Sequence, residues 1–305
     1  ILVADGLIRL SVTKTSGEKG SFIDCLVEDG GPVTSRKGIN LPGNTIDLPA
    51  IGEKDKLALD HALKTGADWI AVSYVRSAED LRPAKDAVKS AGLHTPIIAN
   101  IDHPAALLYL HSILDVADGV MVARGDLGVE ISPEKIPSIQ KNIVRKARQA
   151  GKPVVVATQM LESMIDSPTP TRAEASDVAT AVFQGVDAVM LSAESAAGNY
   201  PKEAVEMMDK IIKRVESDSK YLANIQNYNL DHTKTSTEAI ATAALEVASI
   251  ASCNCIATFS QSGRSILRVA RMRPNVTLIG LTTNTKVARQ NDITWGNFMD
   301  VVDEI

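Results

Sequence analysis

Two aspartates follow neighbouring apolar runs of this chain, and they are the residues best suited to hold a metal ion. Asp102 follows the run at residues 96–101, and Asp126 follows the run at 119–125. Mg²⁺ prefers oxygen ligands and takes one or two carboxylates together with water and substrate oxygens. The pair therefore predicts a shared Mg²⁺ site, although two solvated loop aspartates would leave the same pattern.

Groups that suit an anion lie beside the second aspartate. Residues 121–130 have the sequence MVARGDLGVE, in which Gly125 lets the backbone approach a ligand closely. A short helical turn there can direct N–H groups at a carboxylate or a phosphate. Thr158 offers a hydroxyl after the next apolar run, although a lone threonine more often bonds its own backbone.

Two other segments carry groups that suit a phosphate. Arg36 and Lys37 form a basic pair that a hinge could bring over a phosphate, although exposed basic pairs are usually only solvated. Residues 260–265, SQSGRS, follow a predicted strand and open a predicted helix. Their N–H groups and hydroxyls can cradle a phosphate or simply cap the helix.

The elements that position these groups are five apolar runs alternating with amphipathic stretches, a pattern typical of parallel strands joined by crossover helices. The runs are residues 68–75, 96–101, 119–125, 153–159 and 188–194. Each ends on polar side chains, such as Ser73, Asn100 and Ser192, that a buried strand does not explain. In a (β/α)₈ barrel such residues gather at the carboxyl ends of the strands, whereas an open doubly wound sheet concentrates them at one switch point. The sequence therefore favours an α/β barrel.

Two smaller units flank the barrel region. Residues 1–37 have strand-like runs without a helical period, which predicts a small β unit. After a polar stretch at 218–237, which suggests a linker, an α/β pattern resumes. Its predicted helices are 237–251, 262–272 and 285–291, and its predicted strands are 255–259 and 276–281. The predicted domains are therefore 1–37, 38–220 and 221–305. The three strands that a closed barrel still needs are expected upstream of Ile1.

The composition argues against several classes of protein. The net charge of −5 comes without a cluster of Lys and Arg, which argues against a nucleic-acid partner. No apolar run approaches the ~20 residues that span a bilayer, and no signal-peptide pattern is present, so no membrane partner is expected. Three cysteines, an odd number, predict a reducing compartment, the cytoplasm. Neither cysteines nor histidines have the spacing of a zinc site.

Five long motifs resemble those of the pyruvate kinase family and occur in the same order. They are residues 35–43 (SRKGINLPG), 121–130 (MVARGDLGVE), 157–164 (ATQMLESM), 170–178 (PTRAEASDV) and 187–192 (DAVMLS). The resemblance implies a TIM barrel, here partial, with a β lid and a C-terminal α/β domain that often binds a regulatory sugar phosphate. It also implies phosphoryl transfer from phosphoenolpyruvate to ADP in glycolysis, giving pyruvate and ATP, with Mg²⁺, usually K⁺, and a homotetramer.

The resemblance also implies roles for individual residues. Asp102 and Asp126 would hold Mg²⁺, and the K⁺ ligands would lie in the upstream part of the fold. Lys37 would lie near the nucleotide. The positions that would contact phosphoenolpyruvate are Arg124, Gly125, Asp126 and Thr158, and the catalytic positions are Thr158 and Asn100. The loop that would bind an effector phosphate contains Ser260, Ser262, Gly263, Arg264 and Ser265.

One position departs from the family pattern. The family motif is Ala-Lys-Ile-Glu-Asn, whereas residues 99–103 are Ala-Asn-Ile-Asp-His. The family's lysine bridges the transferring phosphoryl group and stabilises the enolate, so Asn100 replaces a cation with a neutral amide. Losing such a cation costs on the order of 10³-fold in rate or more. Asp102 keeps the charge of the family's glutamate but is one methylene shorter, which leaves Mg²⁺ bridged through water.

Three functions are compatible with these residues. The first is a pyruvate kinase-type phosphotransferase, which the motifs around Asp126 and Thr158 favour. The second is a catalytically silent relative that acts as a structural or regulatory partner, which Asn100 favours. The third is a Mg²⁺-dependent, pyruvate-forming lyase on a similar barrel. A lyase would account for the two aspartates but not for residues 35–43 or the last domain.

Overall fold

The computed structural model describes residues 1–4, 6–17, 22–35, 37–44, 48–218, 220–221, 225 and 235–301. Arg36 and most of the stretch predicted as a linker, 218–237, lie outside these described residues. Within them the strands form three sheets, of four, five and three strands.

The central sheet has five parallel strands in the same order as in the sequence. The strands are β5 (Ile70–Val72), β6 (Ile97–Ile101), β7 (Gly119–Ala123), β8 (Val154–Ala157) and β9 (Ala188–Met190). Residues of β6, β7 and β8 are almost all buried, as expected for a parallel sheet covered on both faces. Each strand pairs with the next one along the chain, which is the order of consecutive strands in a barrel. The prediction of a partial α/β barrel is therefore confirmed.

Helices follow the strands and supply the rest of the main core. They are α1 (Glu53–Thr65), α2 (Arg82–Ser90), α3 (Pro104–Leu108), α4 (Leu110–Val116), α5 (Arg124–Glu130), α6 (Ile136–Gln149), α7 (Arg172–Phe183), α8 (Ala193–Ala196) and α9 (Pro201–Glu216). Helix α6 buries Ile143, Val144 and Ala147, which lie on one face at helical spacing. Helix α7 begins with a capping box in which Thr171 and Glu174 bond each other's backbone N–H groups.

The amino-terminal sheet is antiparallel, in the order β3-β2-β1-β4. Its strands are β1 (Leu2–Val3), β2 (Ile8–Thr15), β3 (Ile23–Asp29) and β4 (Ile39–Asn40). Because β4 pairs with β1, the sheet includes two residues beyond the predicted boundary at residue 37. The Asn40 side chain donates to the Glu130 carboxylate at 3.1 Å, which holds this sheet against the end of α5.

The carboxyl-terminal unit contains a parallel sheet in the order β10-β11-β12. Its elements are α10 (Ser236–Ile250), β10 (Cys255–Phe259), α11 (Arg264–Arg271), β11 (Thr277–Thr282), α12 (Thr285–Asn291) and β12 (Asn297–Val301). The predicted bounds of β10 and α12 are confirmed, and those of the other two helices and of β11 are within two residues. Strand β12 was not predicted from the sequence.

Polar contacts join this unit to the barrel region, and two of them involve Trp69 and Arg273. The Trp69 indole donates to the Gln290 carbonyl at 2.9 Å, and Arg273 pairs with Asp187. Across the residues that the structure describes, no helix has both the length and the apolar character needed to cross a membrane.

Candidate active site

The carboxyl ends of β5 and β6 meet through two hydrogen bonds. The Asn100 amide donates to the Ser73 hydroxyl at 2.9 Å, and the Tyr74 backbone N–H donates to Asp102 Oδ2 at 2.8 Å. Tyr74 has a φ of +60°, a conformation that side-chain-bearing residues adopt rarely and at a cost. The turn after β5 therefore directs a backbone donor at the carboxylate of the neighbouring strand.

Two acceptors at this strand pair have no hydrogen-bond partner among the residues that the structure describes. Asn100 Oδ1 and Asp102 Oδ1 are buried atoms that accept no hydrogen bond within the described part of the chain. The Asp102 residue as a whole is only 7% exposed. Burial and, to a smaller extent, the negative charge of Asp126 raise the pKa of its carboxyl to about 6, although the Tyr74 N–H opposes the change. The two carboxylates predicted to share an ion therefore act on each other electrostatically.

The carboxyl ends of β7 and β8 also meet, through Thr158. Its hydroxyl accepts from the Gly125 N–H at 2.7 Å and donates to the Ala157 carbonyl at 2.6 Å. Thr158 and Gln159 have φ values of +68° and +54°, so two side-chain-bearing residues in succession occupy the left-handed region. Such conformations cost on the order of 1–3 kcal/mol each and persist where the surroundings fix them.

Arg124 fixes this turn. Its side chain is 9% exposed, and its Nη1 pairs with Asp177 of α7 at 2.5 Å. Every donor of the guanidinium has an acceptor within the chain. Besides Asp177, the acceptors are the Ala157, Thr158 and Gln159 carbonyls, Gln140 Oε1 and Met160 S, at 2.6 to 3.5 Å. The contacts of Arg124 therefore hold the backbone beside the predicted substrate position and leave none of its donors for a ligand.

The donor set between β6 and β7 fits a divalent cation. Asp102 Oδ1 is buried without a hydrogen bond from the described residues, and Asp126 is exposed one strand away. Within those residues no group of three or more His, Cys, Asp or Glu side chains is arranged around a metal position. Two carboxylates suffice for Mg²⁺, because this ion keeps water and substrate oxygens as its other ligands.

Comparison with known proteins identifies the family. The model of the pyruvate kinase barrel domain matches residues 1–205, and that of the pyruvate kinase alpha/beta domain matches residues 238–304. The chain belongs to the pyruvate kinase family. It is 48% identical over 296 residues to the pyruvate kinase of Methylorubrum extorquens, with 97% of this chain and 61% of that protein covered. Identity is 45% to a pyruvate kinase of Agrobacterium vitis, at the same coverage.

A third relative, the pyruvate kinase of Geobacillus stearothermophilus, is 41% identical over 97% of this chain and 50% of its own length. The chain thus spans about 50–61% of the length of these pyruvate kinases. Within that span Asn100 occupies the position at which the resemblance to the family motif predicts a lysine. Its amide bonds Ser73, so this position supplies a neutral donor and a neutral acceptor instead of a cation.

The remaining predicted site residues of this pyruvate kinase relative belong to elements other than the strand ends just described. Lys37 is exposed on the segment before β4, and no ion pair involving it occurs among the residues that the structure describes. The predicted phosphate loop connects β10 to α11. Ser260 is buried there, whereas Ser262 and Arg264 are exposed and Ser265 is half-buried.

Gly263 is required in that loop. It caps α11 with a φ of +74°, and a Cβ there would lie 2.0 Å from the Asn291 side chain. Only glycine satisfies both the backbone angle and the close approach of Asn291. The loop conformation thus depends on α12, from which Asn291 extends.

Sequence reasoning missed two residues that shape the site. Tyr74 acts through its backbone N–H, so its side-chain type gave no signal. Asp177 pairs with Arg124 but lies 53 residues away in the middle of a helix. The signal that could have found Asp177 was its place in the motif at residues 170–178, in which a polar residue recurs among small ones.

Proposed function

We propose that the protein carrying this chain is a pyruvate kinase-type phosphotransferase of glycolysis, which converts phosphoenolpyruvate and ADP to pyruvate and ATP. One observation carries the proposal. A carboxylate pair that suits a divalent ion, Asp102 and Asp126, adjoins a hydrogen-bonded turn at Gly125 and Thr158. A phosphorylated carboxylic acid with its metal requires these two features side by side.

Each of these residues has a defined task in the proposal. Asp102 and Asp126 hold Mg²⁺, which supplies positive charge that orients and neutralises the phosphate of the substrate. Gly125 and Thr158 adjoin the carboxylate and phosphoryl group of the substrate, at a turn whose N–H and hydroxyl are fixed by bonds to each other and to the Ala157 carbonyl. Arg124 does not contact the substrate but positions the Thr158 turn through its bonds to the turn's carbonyls.

Asn100 decides how fast this reaction runs. Phosphoryl transfer depends on charge stabilisation, and a neutral amide at this position removes one cation from the site. The Asn100 amide is bonded to Ser73, so the residue occupies the position without restoring the charge. This observation favours a second candidate function, a catalytically silent family member that acts as a structural or regulatory partner.

Other parts of the proposal rest on the resemblance to the family. They are Lys37 near the nucleotide, a sugar phosphate at the loop 260–265, K⁺ held by upstream residues, a homotetramer, and division into domains 1–37, 38–220 and 221–305. The three free cysteines support a reducing compartment, and we place the protein in the cytoplasm.

The test is a coupled assay of pyruvate formation from phosphoenolpyruvate and ADP, run on the whole protein with Mg²⁺ and K⁺. The variants are Asn100→Lys, which restores the cation, and Asn100→Gln, which changes only the length of the amide. We expect Asn100→Lys to raise the rate on the order of 10³-fold and Asn100→Gln to leave it unchanged. Calorimetric titration with phosphoenolpyruvate and Mg²⁺ separates binding from turnover.

The outcomes separate the two functions. Activity of the unaltered protein, or its gain on Asn100→Lys, supports the phosphotransferase. Metal-dependent binding of phosphoenolpyruvate with no turnover in either form supports the silent partner. Absence of both binding and turnover contradicts the proposed site.

A further inference from the structure

A buried carboxylate lies at the carboxyl end of β9, one strand beyond the Thr158 turn (residues 157–161). Glu194 is the buried residue of the short helix α8, with 2% of its surface exposed. Its partners are backbone N–H groups, and no cation pairs with it in the part of the chain that the structure describes. Burial of a charge without a partner ion costs free energy unless hydrogen bonds compensate it. The bonds that Glu194 accepts therefore stabilise a carboxylate at this position.

Glu194 accepts from two backbone N–H groups that follow different strands. The Ser192 N–H, after β9, donates to Oε2 at 2.7 Å, and the Leu161 N–H, after β8, donates to Oε1 at 3.2 Å. The first bond is local, whereas the second joins residues 33 positions apart. Leu161 is fully buried, so water cannot take the place of the carboxylate as acceptor. Glu194 therefore ties the carboxyl ends of β8 and β9 together.

The Leu161 N–H lies at the end of the Thr158 turn. Thr158 and Gln159 occupy the left-handed region, with φ values of +68° and +54°, so the turn requires support from its surroundings. Arg124 donates to carbonyls at the start of the turn, and Glu194 accepts from the N–H at its end. A cation on the carbonyls and an anion on the N–H thus fix the same turn from its two ends.

The segment after α8 is itself attached to the chain that follows the turn. The Asn199 N–H donates to the Ile165 carbonyl at 2.7 Å, and the Asn199 side-chain amide donates to Asp166 Oδ1 at 3.2 Å. Ile165 ends the 3₁₀ turn that begins directly after Leu161. These contacts hold α8, which carries Glu194, in place beside the turn.

We propose that Glu194 is a positioning residue for the substrate, which fixes the Thr158 hydroxyl by holding the Leu161 N–H. The inference rests on the proposed function, in which phosphoenolpyruvate lies beside this turn. A carboxylate suits the task because both of its oxygens accept, and bonds to a charged acceptor are stronger than those to a neutral one. A glutamine would instead direct its own NH₂ group at one of the two backbone N–H groups. Glu194 does not contact the substrate and acts through the turn.

The Gly125 N–H reports on the position of the Thr158 hydroxyl. It donates to this hydroxyl at 2.7 Å, and it lies in the first turn of α5, where N–H groups have no acceptor within their own helix. If Glu194 fixes the turn, its loss lengthens or breaks this bond, and the Gly125 amide exchanges faster with solvent. This readout needs no substrate and does not depend on turnover.

The first experiment is hydrogen exchange of the ligand-free whole protein, resolved to single amides by mass spectrometry. Glu194→Gln keeps the size of the side chain but loses one acceptor, and Glu194→Asp keeps the charge but shortens its reach. The matched control is Glu238→Gln, which alters another buried carboxylate, on α10, that pairs with Arg271. We expect Gly125 to exchange about tenfold faster in Glu194→Gln, less so in Glu194→Asp, and at the unaltered rate in Glu238→Gln. The buried amides of β7 give the rate for unfolding of the barrel region.

The second experiment is calorimetric titration of the same variants with phosphoenolpyruvate in the presence of Mg²⁺. We expect Glu194→Gln to weaken binding about tenfold or more and Glu238→Gln to leave it unchanged. Because Glu194 acts through Thr158, its effect depends on the hydroxyl. Glu194→Gln combined with Thr158→Val should therefore weaken binding little more than Thr158→Val alone, whereas a contact that only supports the fold would give additive losses.

The two experiments fail separately. Absence of phosphoenolpyruvate binding by the unaltered protein contradicts the proposed function, and hydrogen exchange then still decides whether Glu194 positions the turn. Unchanged exchange at Gly125 in Glu194→Gln, or faster exchange matched by an equal increase at the amides of β7, overturns the inference. So does a loss of binding on Glu194→Gln that is the same with and without Thr158→Val.

Discussion

The two halves of the candidate active site differ in how many of their polar groups already have hydrogen-bond partners within the chain. At the ends of β7 and β8, Arg124 uses all its donors within the chain, and the Thr158 hydroxyl both accepts and donates. At the ends of β5 and β6, by contrast, Asn100 and Asp102 each bury an oxygen without a described partner. One half is complete without a ligand, whereas the other is not.

This difference indicates where ligands act on the chain. A saturated network holds its atoms in one arrangement, which suits residues that must receive a substrate without rearranging. Buried acceptors without partners cost about 1–3 kcal/mol each, and such groups persist where a ligand completes them. The incomplete half is also the one in which the sequence departs from the pyruvate kinase motif. Under the proposed function, Asn100 therefore lies in the half that would bear the catalytic charge, whereas the half proposed to position the substrate keeps its hydrogen bonds.

Among the substitutions that test this contrast, Arg124→Met is expected to have the largest effect on stability. The variant leaves Asp177 and the Thr158 and Gln159 carbonyls without their donor, so we expect the free energy of unfolding to fall by about 3–5 kcal/mol. Arg124→Lys is the matched control. It keeps the charge but cannot reproduce the planar set of guanidinium hydrogen bonds, so its free energy of unfolding should fall by about half as much. Urea unfolding at neutral pH measures both. A loss below about 1 kcal/mol for Arg124→Met would show that the network is not the support of the turn.

Comparison of Arg124 with Asn100 also shows what the sequence could predict. The strand order and the polar strand ends followed from runs of buried residues ending in polar ones, because that pattern is local. The bond between Arg124 and Asp177 was not predictable, since it joins residues 53 positions apart on two different helices, α5 and α7. The role of Tyr74 depends on a backbone angle of +60°, which no side-chain pattern encodes. Asn100 could be singled out only against the family motif.

A smaller effect, specific to the incomplete half, is expected from the titration of Asp102. Its pKa is raised to about 6 in the folded chain, so the folded state binds this proton more tightly than the unfolded state. In the absence of metal, the free energy of unfolding therefore falls by about 3 kcal/mol in total as the pH rises from about 4 to about 6. The same ionisation opens Asp102 to Mg²⁺, so we expect Mg²⁺ to restore stability above pH 6 and not below pH 4.

The control for this titration is Asp102→Asn, which cannot ionise. The difference in unfolding free energy between the two forms, measured by urea unfolding from pH 4 to pH 8, isolates the contribution of this carboxyl. Asp102→Asn should also lose the stabilisation by Mg²⁺. If the unaltered chain and Asp102→Asn show the same pH dependence of the unfolding free energy and the same stabilisation by Mg²⁺, Asp102 is not a ligand of Mg²⁺.

The smallest effect on stability is expected at the ends of β7 and β8, from the loss of a single hydrogen bond. Thr158→Val keeps the shape of the side chain but leaves the Gly125 N–H without its acceptor, so we expect a loss of about 1–2 kcal/mol. Thr158→Ser keeps the hydroxyl and removes a methyl group from a residue at φ +68°, so its stability should lie within about 0.5 kcal/mol of the unaltered chain. Because this half is complete without a ligand, the difference between the two variants should be the same with and without Mg²⁺. A difference that changes with Mg²⁺ would show that the halves are coupled and that the contrast between them is one of degree.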